Sequence, residues 1–223
     1  MARVLAFDVN ETLLDLSALD PLFEKAFGDA GLRPLWFGQM LQLAFAGAIT
    51  GRYVDFTTAQ RAALSMLGDR TGRELDPVMA DEIVEGMTRL PPHPEVAGAL
   101  ERLSDSQLST AALTNSPLEV AEAQLRHAGL DSYFERVLSA DEVRRLKPAP
   151  EPYRMVADRF GVDVSDVWLV AAHAWDVSGA LAAGCRAALV ARPGMTPSPL
   201  GQQPDVVGAD IADVAGQILE QAS

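Results

Sequence analysis

Cysteine is all but missing from this chain. Cys185 is the only one, so no disulfide can close within it. Positive charge is also scarce: 18 Lys and Arg stand against 31 Asp and Glu, a formal net charge of −13. An acidic surface repels phosphate backbones, which argues against nucleic-acid binding. No apolar run approaches the roughly 18–20 residues that a membrane span needs. The opening Met1-Ala2-Arg3-Val4-Leu5-Ala6-Phe7-Asp8 has no basic region followed by a long apolar stretch, so it does not read as a secretory signal. Gly (17) and Pro (14) are too few and too scattered for collagen or a low-complexity linker. The expectation is a soluble, cytoplasmic protein with neither a nucleic-acid nor a membrane partner. What is present is 223 residues, 48% of them hydrophobic. A chain of that length buries roughly 70–75% of its unfolded surface.

Short apolar runs alternate with helical patterns, the rhythm of a parallel α/β sheet. Candidate strands fall at 4–7, 108–113, 136–139, 167–171, 187–190 and, shorter, 206–207. Helical apolar periods fill 118–127, 151–160, 177–183 and 211–219, the first three stopped by Gly129, Gly161 and Gly184. From about 16 to 90 the rhythm breaks into consecutive helices carrying Phe23, Phe27, Trp36, Phe37, Phe45, Tyr53 and Phe56, until Leu90-Pro91-Pro92-His93-Pro94 ends them. The expected organisation is an α/β core from 1–15 and 91–223, with 16–90 as an inserted helical cap domain.

In open α/β sheets ligands gather at the carboxyl ends of the strands. Polar residues directly after the apolar runs are therefore the candidates: Asp8, Asn10 and Thr12; Thr114, Asn115 and Ser116; Lys147; His173 and Asp176. Each taken alone reads equally well as a turn former or helix cap. Four such places, with a carboxylate at the first and a lysine among them, point to catalysis.

Phe7-Asp8-Val9-Asn10-Glu11-Thr12-Leu13-Leu14-Asp15 resembles the first motif of the haloacid dehalogenase-like hydrolase superfamily. Leu113-Thr114-Asn115-Ser116 resembles its second motif, Lys147-Pro148 its third and Ala172-His173-Ala174-Trp175-Asp176 its fourth, in the right order. Ala174-Trp175-Asp176, Arg144-Arg145-Leu146-Lys147-Pro148 and Glu151-Pro152-Tyr153 resemble the type II, or L-2-haloacid dehalogenase, branch. The resemblance implies a Rossmann-like parallel sheet with a helical cap, and a small carboxylate as substrate.

Asn10 then carries weight. Phosphatases of the superfamily place a second Asp there, to protonate the leaving alcohol. An amide cannot do that at neutral pH, whereas a halide leaves as a stable anion. The resemblance thus implies hydrolytic dehalogenation of a 2-haloacid. Asp8 attacks the carbon and forms an ester, and water hydrolyses that ester to a 2-hydroxy acid. Lys147 would keep Asp8 ionised against the cost of burial. Thr12, Thr114 and Asn115 would donate hydrogen bonds to Asp8 or to the substrate, Asp176 would orient or activate the water, and His173 could act as a base. Asn10, Ser116, Trp36, Phe37 and Trp175 complete the expected substrate-binding set, although aromatic residues at helical spacing more often pack a core.

No cofactor is implied. Under the alternative of a phosphatase, Asp8, the Asn10 carbonyl and Asp176 would hold Mg²⁺; a non-catalytic acid binder is the other alternative, and a homodimer stays open. One departure stands out. The branch has an arginine just past an aromatic pair to receive the halide, but Trp36-Phe37 is followed by Gly38, and neither Arg33 nor Arg52 stands in that motif.

Overall fold

The computed structural model describes residues 4–222. Met1, Ala2 and Arg3, the start of the segment read for a secretory signal, lie outside the described residues, as does Ser223. Six parallel strands, β1 (Val4–Phe7), β2 (Ser109–Thr114), β3 (Arg136–Ser139), β4 (Val167–Ala171), β5 (Arg186–Val190) and β6 (Val206–Gly208), form one sheet in the order β3-β2-β1-β4-β5-β6. Each connection is long enough for the crossover that parallel pairing demands. The α/β class and the strand positions agree with the sequence pattern.

Period-2 alternation divides each strand between two layers. Val4 and Ala6 face one way, into a cluster with Leu113, Tyr153, Val156, Val177 and Ala180. That layer is built by α7 (Pro150–Phe160) and α8 (Ala174–Ala183). Leu5 and Phe7 face the other way, into a cluster that takes in Leu100, Leu125 and Ile218. Those residues lie on α5 (Val96–Ser104), α6 (Leu118–His127) and α9 (Ile211–Ala222). Strands apolar on both faces cannot alternate with polar residues, which is why they appear as unbroken runs.

Between β1 and α5 stand four α-helices, α1 (Asp20–Phe27), α2 (Leu32–Ile49), α3 (Phe56–Thr71) and α4 (Pro77–Gly86), flanked by short 3-10 turns at Leu16–Leu19 and Met87–Arg89. No strand falls between 16 and 90, all of which are described. Their apolar stripes, with Phe23, Trp36, Met40, Leu64 and Ile83, join the same cluster as Leu5 and Phe7. The helical insert therefore shares its core with one face of the sheet. Among the described residues no helix is long and apolar enough to cross a membrane.

Three local differences from the sequence pattern matter. Helix α5 is not among the expected elements, although Val96, Ala99, Leu100 and Leu103 carry its buried face at the spacing of a helix. Strand β2 runs one residue further, to Thr114. Helix α8 begins at Ala174, which makes His173 its N-cap and places Asp176 in the first turn.

One glycine shows how tightly the layer under the sheet is packed. A Cβ on Gly179 would sit 2.5 Å from the Pro148 Cβ and 2.6 Å from the Tyr153 hydroxyl. Gly179→Ala should therefore lower unfolding stability by about 1–3 kcal/mol, the usual cost of overpacking. Urea denaturation would show a lower midpoint at unchanged slope.

Candidate active site

Asp8 is the first residue past β1. Its N–H still donates to the Val170 carbonyl at 3.0 Å, so the backbone is pinned to β4 and the side chain emerges at the carboxyl edge of the sheet. The Thr12 hydroxyl donates to Asp8 Oδ2 at 2.7 Å and accepts from the Ala172 N–H at 2.9 Å. A single threonine thus fastens the loop after β1 to the loop after β4.

Lys147 reaches the same carboxylate from the other side. Its Nζ donates to Asp8 Oδ1 at 2.8 Å, Asp176 Oδ2 at 2.6 Å and the Leu113 carbonyl at 2.9 Å. An ammonium has three protons, and here each has an acceptor. Asn115 fixes the lysine backbone: its Oδ1 accepts from the Lys147 N–H at 2.8 Å and its Nδ2 donates to the Lys147 carbonyl at 3.1 Å. The second oxygen of Asp176, Oδ1, accepts from the Tyr153 hydroxyl at 2.5 Å.

His173 provides a second cation. Its Nδ1 faces Asp8 Oδ2 at 3.4 Å and its Nε2 faces Glu11 Oε2 at 2.9 Å. Ionised carboxylates only accept, so both ring nitrogens must carry hydrogen and the ring is an imidazolium. It lies between Phe37 and Trp175, at centroid distances of 5.7 and 5.3 Å.

The electrostatics follow from these contacts. Burial by itself would raise the Asp8 pKa, but the Lys147 charge and the His173 hydrogen bond outweigh it and hold the carboxyl well below the usual range. Burial would lower Lys147, yet Asp176 and Asp8 push it upward. Burial raises Asp176 above its ordinary value, the Lys147 ammonium offsets only part of that, and the Asp8 charge adds to it. For His173 burial works against the charge, and the bonds to Asp8 and Glu11 prevail, raising it to about 9.

These groups border a cavity of about 10 Å³, enclosed by Asp8, Asn10, Thr114, Asn115, Lys147 and His173 with Phe37, Phe56 and Trp175. A space of that size holds about one water. Asn10 is locked: its Nδ2 donates to Ser116 Oγ at 3.3 Å, and its Oδ1 accepts from Gln124 Nε2 at 2.9 Å.

Several expected roles need correction. Trp36 does not line the cavity; it is fully buried against Phe23, and its indole N–H donates to the Gln60 carbonyl. Ser116 stands behind Asn10 rather than in the cavity. Thr114 Oγ1 accepts from the Ser116 N–H and Asn115 brackets the Lys147 backbone, and neither is bonded to Asp8, while both line the cavity where a substrate would sit. Asp176 is wholly buried behind the cavity lining, where its Oδ2 accepts from Lys147 and its Oδ1 from Tyr153. His173, with both nitrogens on carboxylates, has no lone pair to act as a base.

The donor set does not suit Mg²⁺ either. Lys147 fills the space between the two carboxylates that would have to hold the ion. Among the described residues no group of three or more His, Cys, Asp or Glu is placed for a metal. With Gly38 in place of an arginine after Phe37, the helical insert lends the cavity only the rings of Phe37 and Phe56 and no charge. Arg33 is tied to Asp20 and Glu11, and Arg52 is exposed.

Three contributors were not expected from sequence: Glu11, Tyr153 and Gln124. Gln124 had a legible signal, since it falls on the buried stripe of α6 with Ala121 and Leu125. A polar residue on such a stripe needs an internal partner, and it has two, Asn10 and the Met87 carbonyl.

Over residues 2–184 the chain matches a family described as haloacid dehalogenase-like hydrolase. It is 32% identical over 205 residues to haloacetate dehalogenase H-2 of Moraxella sp. (strain B), covering 91% of this chain and 92% of that protein. To the (S)-2-haloacid dehalogenase of Pseudomonas sp. (strain YL) it is 30% identical over 203 residues, covering 90% and 88%. The fold superposes on the L-2-haloacid dehalogenase of Xanthobacter autotrophicus with a TM-score of 0.92 at 27% identity, covering 98% and 99% of the two chains. A structure of that enzyme with chloropropionic acid covalently bound gives a TM-score of 0.91, with the same identity and coverage. With the four motifs gathered around Asp8 and Lys147, the chain belongs to the haloacid dehalogenase-like hydrolases, in the branch of the L-2-haloacid dehalogenases.

Proposed function

We propose that this protein hydrolyses the carbon–halogen bond of a small 2-haloacid through an ester on Asp8. The observation that carries the reading is the pairing of an ionised Asp8, held 2.8 Å from Lys147, with an amide at Asn10 that has no acidic proton to transfer. Such a site can displace a leaving group that departs as a stable anion and cannot assist one that needs protonation. The covalently bound chloropropionic acid in the Xanthobacter relative fits an attack of this kind.

In the first step a carboxylate oxygen of Asp8 forms a bond to the halogen-bearing carbon, and the halide leaves with the bonding electrons. In the second step water adds at the Asp8 carbonyl carbon. The alkyl–oxygen fragment departs as the 2-hydroxy acid, Asp8 returns as carboxylate, and one proton is released for each halide. Asp8, Lys147 and Thr12 are the catalytic group in this reading, with Asp176 and Tyr153 positioning the lysine. His173, the second cation on the cavity wall, is the positive charge toward which the halide departs, its Nδ1 edge facing Asp8. No cofactor enters this scheme.

We assign 16–90 as the cap and 1–15 with 91–223 as the core. The cavity has room for about one water, and in this reading the two parts separate to admit substrate. The tight walls favour acids of two or three carbons.

Three experiments bear on this. A single turnover in H₂¹⁸O should place the label in Asp8 by peptide mass spectrometry, and label arriving first in the product would overturn the ester; Asp8→Asn should fold and release no halide. Chloride release from 2-chloropropionate should be unchanged by EDTA, and activity that collapses and returns with Mg²⁺ would instead establish a metal-dependent hydrolase. His173→Asn should slow chloride release about 10²-fold, the usual loss when one well-placed donor to a developing anion is removed. An unchanged rate would take His173 out of the halide site.

A further inference from the structure

The charge on His173 is maintained from outside the cavity. We propose that Glu11, backed by Arg33, is a positioning residue that fixes the His173 ring against Asp8 and keeps both of its nitrogens protonated. The titration part of this proposal stands without the dehalogenase reading; only its activity part rests on it.

The backbone gives the first indication. Glu11 adopts φ 62°, a left-handed conformation uncommon for a residue with a side chain. Such conformations persist where the surroundings enforce them, and they cluster at functional sites. Here the conformation directs a carboxylate inward, onto the ring.

Each Glu11 oxygen has its own cation. Oε2 accepts from His173 Nε2 at 2.9 Å, and Oε1 faces Arg33 NH1 at 3.4 Å. Arg33 is itself oriented by Asp20, whose Oδ1 accepts from Arg33 Nε at 2.5 Å. The carboxylate is thus held from behind and cannot swing away from the imidazole without leaving an ion pair.

The ring cannot hold its charge by itself. Its two faces meet Phe37 from α2 and Trp175 from α8, and its near-complete burial discharges a cation. On its Nδ1 side, Asp8 stands at 3.4 Å and is shared with Lys147 and Thr12. Lys147 opposes a second positive charge there and is itself offset by Asp176. On its Nε2 side, Glu11 is nearer. The other ionisable groups that share a pocket with that carboxylate, among the described residues, are Arg33, Asp15, Arg192 and His93, whose ring bonds the Glu11 backbone. Glu11 is therefore the carboxylate most free to hold the imidazolium.

The sign of the effect is fixed. A histidine with a raised pKa contributes its stabilisation fully below its ordinary value of 6.5 and loses it as pH rises through about 9. Removing the Glu11 charge should draw that upper limit down. The test follows the ring by NMR in protein labelled at histidine. The chain has three histidines, and the His173 signal is identified by its loss in His173→Asn.

The wild-type ring should titrate near 9, Glu11→Gln should lower the midpoint by about one pH unit or more, and Glu11→Asp should restore part of the difference. In chloride release, the ratio of Glu11→Gln to wild type should stay level near pH 6 and fall with rising pH, approaching a roughly tenfold deficit above the lowered midpoint, where each pH unit is a tenfold change in the charged fraction. A purely structural role would lower the rate equally at every pH and leave the midpoint in place. The proposal is overturned if the wild-type ring titrates near 6.5, or if Glu11→Gln leaves the midpoint unmoved. If the midpoint moves while neither protein releases chloride, the positioning role stands and the dehalogenase reading falls.

Discussion

The contact on which the site depends is the Lys147 ammonium wedged between Asp8 and Asp176, at 2.8 and 2.6 Å. A buried charge without partners costs several kcal/mol, and removing one member of a buried pair is strongly destabilising. Each neighbour of Lys147 must therefore be opposite in sign, and each neighbour of those in turn. The structure meets the demand with a chain of alternating charges, Asp176, Lys147, Asp8, His173, Glu11, Arg33 and Asp20, in which every adjacent pair is within 3.4 Å. It starts in the first turn of α8 and ends at the start of α1. The loops after β1 and β4 and the segment carrying Lys147 are held in mutual register by this chain as much as by the sheet.

Alternation also fixes the conditions under which the nucleophile is ready. Asp8 is ionised because two cations face it, and its depressed pKa gives stability that is present above the ordinary carboxylate value and lost only as pH falls through the folded one. His173 sets the upper edge, near 9. Between those limits the proposed reaction would find an anion for the incoming carbon and a cation beside the outgoing halide, without any group transferring a proton in the first step. That polarity suits a leaving group already stable as an anion.

Much of this is legible in the sequence. Parallel strands buried on both faces show as unbroken apolar runs, and β1, β3 and β4 fall where those runs fall. Asp8, Thr12, Asn115 and Lys147 converge because polar residues that end parallel strands share one rim. What cannot be read is which polar group satisfies which. Asp176 and a water ligand are indistinguishable in sequence, and only the Tyr153 hydroxyl and Lys147, 23 and 29 positions away, show that both its oxygens are taken. Trp36 and Phe37 are adjacent on one helix, yet successive residues point about 100° apart, so one enters the core and the other the cavity wall. Glu11 is hidden for a further reason. Its role needs a left-handed backbone, and Glu is not a residue that announces one.

The residue after Phe37 is Gly38, not an arginine, and this has a structural counterpart. An arginine on α2 would bring its charge from the helical insert and withdraw it whenever the insert moved. His173 lies in the loop between β4 and α8, with its partners Asp8 and Glu11 on the loop after β1. The cation and the nucleophile therefore share one sheet edge, and their contact needs no residue of the insert. The alternating chain crosses to the insert through a single ion pair, Arg33 with Glu11, which at 3.4 Å and partial exposure is the loosest type of link in the series.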